Sequence, residues 1–144
     1  MKLRALVLFC LCPIMAAAEE PSVCLKPTTS QYLRQLGNEW QKRLSLTEWS
    51  IDVREASTGE LEAGSLGRAV WNRTSKKAAI TVLPAIFYPL ACDQAMRDQE
   101  TTIVFQLLMI TISELPSYGV PPEHINRGIQ AMTNALMDLK YKRQ

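Results

Sequence analysis

The chain has 144 residues, of which 47% are hydrophobic, and its 16 basic and 14 acidic side chains give a formal net charge of +2. A nearly neutral chain without a basic stripe is a poor candidate for nucleic-acid binding, which depends on neutralising phosphates. This length fits one domain with a sizeable core.

The first 18 residues have the pattern of a secretory signal peptide. Lys2 and Arg4 precede the apolar run of residues 5–15, and three alanines provide a cleavage site before Glu19. The apolar run is too short for a membrane span. We therefore expect residues 19–144 to form one exported domain, periplasmic or secreted, with no membrane span after cleavage. The alternative is an N-terminal core helix, although no residue caps its start.

The cysteines outside that segment are Cys24 and Cys92. An exported domain with two cysteines typically joins them, so we predict a Cys24–Cys92 disulfide. Free or intermolecular thiols are the alternative. A metal or redox site is disfavoured because there is no CxxC spacing and no neighbouring histidine.

Hydrophobic periodicity predicts the elements before the longest apolar run. A helix is expected first, with an apolar face formed by Leu33, Leu36, Trp40 and Leu44. Three strands follow, and the second and third form a hairpin. The predicted ranges are 28–44 for the helix and 48–54, 68–72 and 76–83 for the strands.

Residues 99–115 are apolar on nearly every side and end at Pro116, which predicts a helix buried all round. Its many β-branched residues leave a strand as the alternative, but the run exceeds a typical strand length. We expect an irregular connection before this helix, at residues 84–97. A last helix is predicted at residues 123–142, with a buried stripe of Ile125, Ile129, Met132, Leu136 and Leu139. Helix, three strands, helix, helix is an α+β order, and we expect the helices to pack on a small antiparallel sheet.

Four segments resemble small zinc metallopeptidases of phages and bacteria, over about residues 33–139. They are WSIDV at 49–53, GRAVW at 67–71, KAAITVL at 77–83 and ETTIVFQLLMI at 100–110. In that family the central helix reads T-I-V-H-E-L-L-H-L, and the last helix carries an acidic residue. The resemblance implies a minimal zincin-like domain.

An H-E-x-x-H helix places two imidazoles on one face to bind zinc, and its glutamate takes a proton from the zinc-bound water. Here Phe105 and Met109 occupy the histidine positions, and Gln106 occupies the glutamate position. Gln130 stands at the acidic position of the last helix. Phenylalanine has no donor atom, a thioether suits Cu(I), and an amide is no general base near neutral pH. We therefore expect no metal, no cofactor and no metallopeptidase catalysis.

These positions predict a catalytically inactive metallopeptidase-like domain that acts as a binding or scaffolding protein of the cell envelope. Its partner is an unknown protein or peptide, and a sheet edge of such a domain can hold an extended peptide. A hydrolase with unrecognised chemistry is the alternative, although no nucleophile–base pair is visible. The sequence FQLLM is also compatible with a plain core helix of other ancestry. The one histidine, His124, is expected at the surface or as a cap at the start of the last helix. A metal role for it is disfavoured because a zinc site needs three or four ligands.

Overall fold

The computed structural model describes Cys24, residues 28–116 and residues 118–142. The predicted signal peptide lies outside these residues. The described part has three α-helices, three strands and one 3₁₀ turn, which agrees with the predicted α+β class. In chain order they are α1 (Ser30–Arg43), β1 (Ser50–Glu55), β2 (Gly67–Asn72), β3 (Lys77–Val82), the 3₁₀ turn (Ala85–Phe87), α2 (Cys92–Ser113) and α3 (Pro122–Tyr141). None of the described helices is both long and apolar enough to cross a membrane.

The sheet is mixed, so the predicted all-antiparallel arrangement is wrong. Its strand order is β1–β3–β2, with β3 parallel to β1 and antiparallel to β2. The predicted hairpin of the second and third strands is confirmed. The connection from Ala56 to Leu66 carries the chain past the position of the central strand, and β3 then returns between β1 and β2. Alternating hydrophobicity indicates which face of a strand is buried, but it does not indicate which strands are neighbours.

The helices pack against one face of the sheet. Val53, Ile80 and Val82 of the strands belong to one buried core that includes Trp40 of α1 and Leu107 of α2. The alternate positions of β2 are exposed, as expected for a sheet that is covered on one side. This leaves the outer face of the sheet open to solvent.

The central helix α2 begins at Cys92 and not near residue 99, so the predicted irregular connection is shorter than expected. The first two turns of α2 are polar and lack the apolar run that marks the rest. Glu100, which the shorter helix would place in its first turn, therefore lies in the helix interior. Every residue from 99 to 113 is buried or half-buried, so the prediction of a helix without an exposed face is confirmed for these residues. The helix ends at Ser113 and not at residue 115, and Glu114 and Leu115 are exposed.

The buried stripe of α3 differs from the predicted one. Met132 and Leu139 are 48% and 54% exposed, whereas Ile129, Thr133 and Met137 are buried. The inward face follows a four-residue spacing through Thr133, whose hydroxyl donates to the Ile129 carbonyl oxygen at 2.8 Å. Because the residue at the centre of this stripe is a threonine, the pattern of hydrophobic residues did not indicate which face of α3 is buried.

The predicted Cys24–Cys92 disulfide is confirmed, and its Cα atoms are 4.4 Å apart. The Cys24 N–H also donates to the Leu90 carbonyl oxygen at 3.0 Å. Both cysteines pack in a small second core with Ala85, Tyr88 and Ala95. The bond therefore ties the chain before α1 to the N-terminus of α2.

Candidate functional site

Three of the four motif positions line a single cavity of about 430 Å³ between β2, α2 and α3. They are Phe105, Gln106 and Gln130. The fourth, Met109, lies one turn further along α2 and lines a neighbouring cavity of about 350 Å³. The remaining residues around the first cavity are Leu66, Gly67, Asp98, Thr101 and Thr102.

The two glutamines do not hydrogen-bond each other, although both line the first cavity. Gln106 donates from Nε2 to the main-chain carbonyl oxygen of Gly67, at 3.4 Å. Gln130 is exposed and donates from Nε2 to Oδ1 of Asn134, at 3.0 Å. The amide of Gln106 therefore links α2 to the start of β2, and the amide of Gln130 belongs to the surface of α3.

The four motif residues do not fit a zinc ion. Phe105 and Met109 are half-buried and pack against the main core, and amide groups are not among the usual zinc ligands. His124 is exposed at the start of α3. Among the described residues, no group of three or more His, Cys, Asp or Glu side chains could hold a metal ion.

Strand β2 forms a free edge of the sheet beside these cavities. The Leu83 N–H donates to the Leu66 carbonyl oxygen at 2.8 Å, so these two residues form a hydrogen-bonded pair of the antiparallel ladder. Hydrogen-bonded and non-hydrogen-bonded pairs alternate along the two strands from there. This alternation directs the N–H and C=O groups of Gly67, Ala69 and Trp71 away from β3. The Gly67 carbonyl oxygen already accepts from Gln106 and from the Ser65 hydroxyl. The outward groups of Ala69 and Trp71 are the main-chain donors and acceptors that this edge presents, as an unpaired strand edge does.

The lack of a side chain at Gly67 allows α2 to approach the start of this edge. A Cβ atom at that position would lie 2.5 Å from Cγ2 of Thr102 and 2.9 Å from the main-chain oxygen of Thr81. The Thr102 hydroxyl donates back to the Asp98 carbonyl oxygen at 2.9 Å. This close packing brings the cavity that contains Gln106 directly against the β2 edge.

The neighbouring cavity is mainly apolar and lies beside the C-terminal end of β2. Arg73, in the turn after β2, contributes the one charged side chain of its lining and is exposed. No ion pair to Arg73 is formed within the described part of the chain. The apolar lining includes Trp71, Met109, Ile112, Ile125 and Ile129.

Sequence reasoning missed a buried ionic cluster around Glu100, which is 1% exposed. The Trp40 indole N–H and the Lys140 ammonium each donate to Oε1 of Glu100 at 2.5 Å. The Tyr141 hydroxyl donates to the other carboxylate oxygen. Burial and this contact with Glu100 raise the pKa of Tyr141 well above its ordinary value.

This cluster joins α1, α2 and α3. Lys140, near the end of α3, is the counter-charge of a buried carboxylate. An acidic residue inside an otherwise apolar run was the available signal, because a buried charge requires a partner. All three donors point at one carboxylate, so the cluster acts as a connection between helices.

No protein-family model, characterised protein or solved structure matches this chain. Its function is therefore inferred from the β2 edge and the two cavities beside it. The resemblance to zinc metallopeptidases stays a hypothesis.

Proposed function

We propose that this chain is an exported, catalytically inactive metallopeptidase-like domain that binds an extended peptide segment along the free edge of β2. The observation that carries the proposal is the position of this edge between two cavities, with the outward main-chain groups of Ala69 and Trp71 beside them. An added strand gains affinity from such main-chain hydrogen bonds and specificity from pockets for its side chains.

The groups around the cavity favour binding over catalysis. The Thr101 hydroxyl donates to the Arg97 carbonyl oxygen at 2.8 Å, and the Thr102 hydroxyl is bonded in the same way within α2. Neither hydroxyl contacts a general base. Gln106, at the position of the family's glutamate, cannot accept a proton near neutral pH.

One observation favours the alternative, a hydrolase with unrecognised chemistry. Asp98 is half-buried and lines the same cavity. Its Oδ1 accepts a hydrogen bond from Nε2 of Gln94 at 2.9 Å. A single carboxylate without a nucleophile or a second acid provides only part of a hydrolytic site, so we rank this function second.

The proposed location is the periplasm or the outside of the cell. The Cys24–Cys92 bond supports it, because disulfides persist in oxidising compartments. The segment before Cys24 has the signal-peptide pattern described above. The proposed partner is therefore an envelope or extracellular protein that contains an extended segment.

Selection from a displayed heptapeptide library, with the full chain in its oxidised form as bait, tests the binding function. We expect selected peptides to bind at least tenfold more weakly to Ala69→Pro, which removes one outward N–H and leaves the bonds to β3 intact. Val70→Thr changes an exposed side chain on the outer face and is the matched control. Circular dichroism checks that both variants fold. Failure to select any peptide, or equal binding to a folded Ala69→Pro variant, would contradict the proposal.

Elemental analysis and a peptidase assay separate the two functions. We expect no stoichiometric zinc and no cleavage of a pool of quenched fluorescent peptides. Near-equimolar zinc together with chelator-sensitive cleavage would refute the inactive-domain proposal. Cleavage that survives the chelator but is lost in Asp98→Asn would favour the alternative hydrolase.

A further inference from the structure

The apolar cavity at the end of β2 carries one exposed cation, Arg73, at its rim. We infer that this cavity binds the C-terminal residue of the peptide, which is a large aliphatic or aromatic residue with a free carboxylate. The inference rests on the proposed function and names the ligand class of the same edge.

The apolar part of the cavity suits one large side chain. Ile129 is 1% exposed, and Trp71, Met109 and Ile125 around it are half-buried. A volume of about 350 Å³ lies at the small end of the range for ligand pockets. Methionine has an unbranched, adaptable side chain, so Met109 can adjust to either an aliphatic or an aromatic residue.

The charge at the rim distinguishes a chain terminus from an internal residue. Arg73 has no ion-pair partner among the described residues. A guanidinium forms two parallel hydrogen bonds with a carboxylate. A C-terminal residue carries its carboxylate on the same Cα as its side chain, whereas an internal apolar residue offers only a neutral carbonyl group there.

The continuity of the cavity with the strand edge favours a peptide over a small free acid. Trp71 contributes its side chain to the cavity, and its main-chain N–H and C=O groups point outward along the edge. A ligand whose last residue fills the cavity can therefore continue along β2 past Ala69 towards Gly67. A small acid would leave those main-chain groups unused.

This arrangement also sets the direction of the bound strand. The cavity lies at the C-terminal end of β2, so a peptide that ends there runs parallel to β2 and not antiparallel. The residues upstream then approach Asp98, which lines the cavity at the other end of the edge. Parallel strands advance by the same distance per residue, and Gly67 lies about four residues before Trp71. We therefore expect a basic side chain, facing Asp98, about four residues before the peptide's C-terminus.

Paired peptides of identical sequence test the inference with the oxidised full chain. One library of heptapeptides ends in a free carboxylate, and the other ends in a carboxamide. We expect selected peptides to end in Leu, Ile, Met or Phe, and each free acid to bind at least tenfold more tightly than its amide. Arg73→Gln should remove that difference. Arg68→Gln, which removes an exposed arginine from the other end of β2, should keep it.

A variant that fills the cavity and a small acid complete the test. Ile125→Trp replaces an aliphatic side chain in the lining by a bulkier indole and should weaken the binding of the free-acid peptides at least tenfold. N-acetyl-leucine alone should bind far more weakly than a peptide with the same last residue, because it cannot pair along the edge. N-acetyl-leucine that binds as tightly as the peptide would overturn the inference in favour of a small-acid site.

The outcomes separate this inference from the proposed function. Peptides that bind equally as acid and as amide, but bind more weakly to Ala69→Pro, would overturn the C-terminal capture and leave edge binding intact. Equal acid preference in Arg73→Gln and in the parent would also overturn it. A chain that selects no peptide from either library would overturn both.

Discussion

At residue 37, α1 lacks a side chain where it packs against β1. A Cβ atom there would lie 2.6 Å from Cγ2 of Val53, which is closer than two non-bonded carbon atoms approach in proteins. The sequence shows only that a glycine weakens a helix unless close packing uses the missing side chain. The contact with Val53 supplies that packing, and it depends on a tertiary approach that no local pattern encodes.

Two glycine-to-alanine substitutions separate helix propensity from packing. Gly37→Ala gains about 1 kcal/mol of helix propensity, but the clash with Val53 costs about 1–3 kcal/mol, so we expect a net loss of up to about 2 kcal/mol in the free energy of unfolding. Gly128→Ala in α3 meets no atom within 4 Å, and we expect it to add about 0.5–1 kcal/mol. Urea unfolding of the oxidised chain measures both. If both substitutions stabilise the protein, the close approach of α1 to β1 is wrong.

At the scale of elements, the parts of the fold that have a strong local signal were predictable. The apolar residues of α2 identified it as a buried helix, and alternation identified three strands. The pairing of β1 with β3 was not predictable, because strand alternation is the same for either neighbour. The first turns of α2 were missed because they are polar, and the stripe of α3 was misplaced because Thr133 lies at its centre.

The candidate site was predictable only in part, for a related reason. The resemblance selected Phe105, Gln106, Met109 and Gln130, and the fold brings all but Met109 around one cavity. It did not indicate Arg73 or the outward groups of Trp71, since these depend on which strand forms the edge. A site made by strand order follows from the topology, which the sequence pattern left open.

The arrangement of α2 and α3 predicts that a zinc site can be built in this scaffold. Phe105→His and Met109→His place imidazoles at i and i+4 on α2, and Gln106→Glu adds the base. Gln130→Glu supplies a third ligand from α3, because Gln130 lines the cavity of Phe105 and Gln106, and Met109 lines the neighbouring cavity one turn further along α2. Replacing two half-buried apolar side chains costs roughly 2–4 kcal/mol, and zinc offsets part of this by binding the folded state.

Melting temperature against zinc concentration measures the result. We expect the quadruple variant to melt below the parent without metal and to rise with added zinc. The triple variant that keeps Gln130 is the matched control and should respond less. A folded quadruple variant that binds zinc no better than the triple variant would remove Gln130 from the site. If neither variant binds zinc, the plain core-helix interpretation is preferred over metallopeptidase ancestry.

At the scale of the whole molecule, two long-range connections hold α2 in place. The Cys24–Cys92 disulfide fixes its N-terminus across a sequence separation of 68. The carboxylate of Glu100 fixes its middle to α1 and α3. The first was predictable because only two cysteines lie outside the predicted signal peptide. The second was not, because Trp40 and Lys140 are 60 and 40 positions from Glu100 in the sequence.

The Glu100 cluster should therefore matter more to stability than the surface ion pair that shares its lysine. Glu100→Gln keeps the shape of the side chain but leaves the Lys140 ammonium, whose side chain is 17% exposed, without its buried counter-charge. We expect a loss of about 3 kcal/mol in the free energy of unfolding. Glu39 lies 3.7 Å from the same ammonium with a side chain that is 41% exposed, and we expect Glu39→Gln to cost less than about 1 kcal/mol.

Urea unfolding of the oxidised full chain gives the free energy of unfolding of each variant, and the two values are comparable when the m-values are equal. Adding Lys140→Met to Glu100→Gln should recover part of the loss, because the ammonium that has lost its buried counter-charge is then gone and the apolar part of the side chain is retained. Glu39→Gln with Lys140→Met should show no such recovery. If Glu100→Gln is no less stable than Glu39→Gln, the carboxylate does not connect the three helices. The packing of α3 across α2 would then depend on its apolar stripe alone.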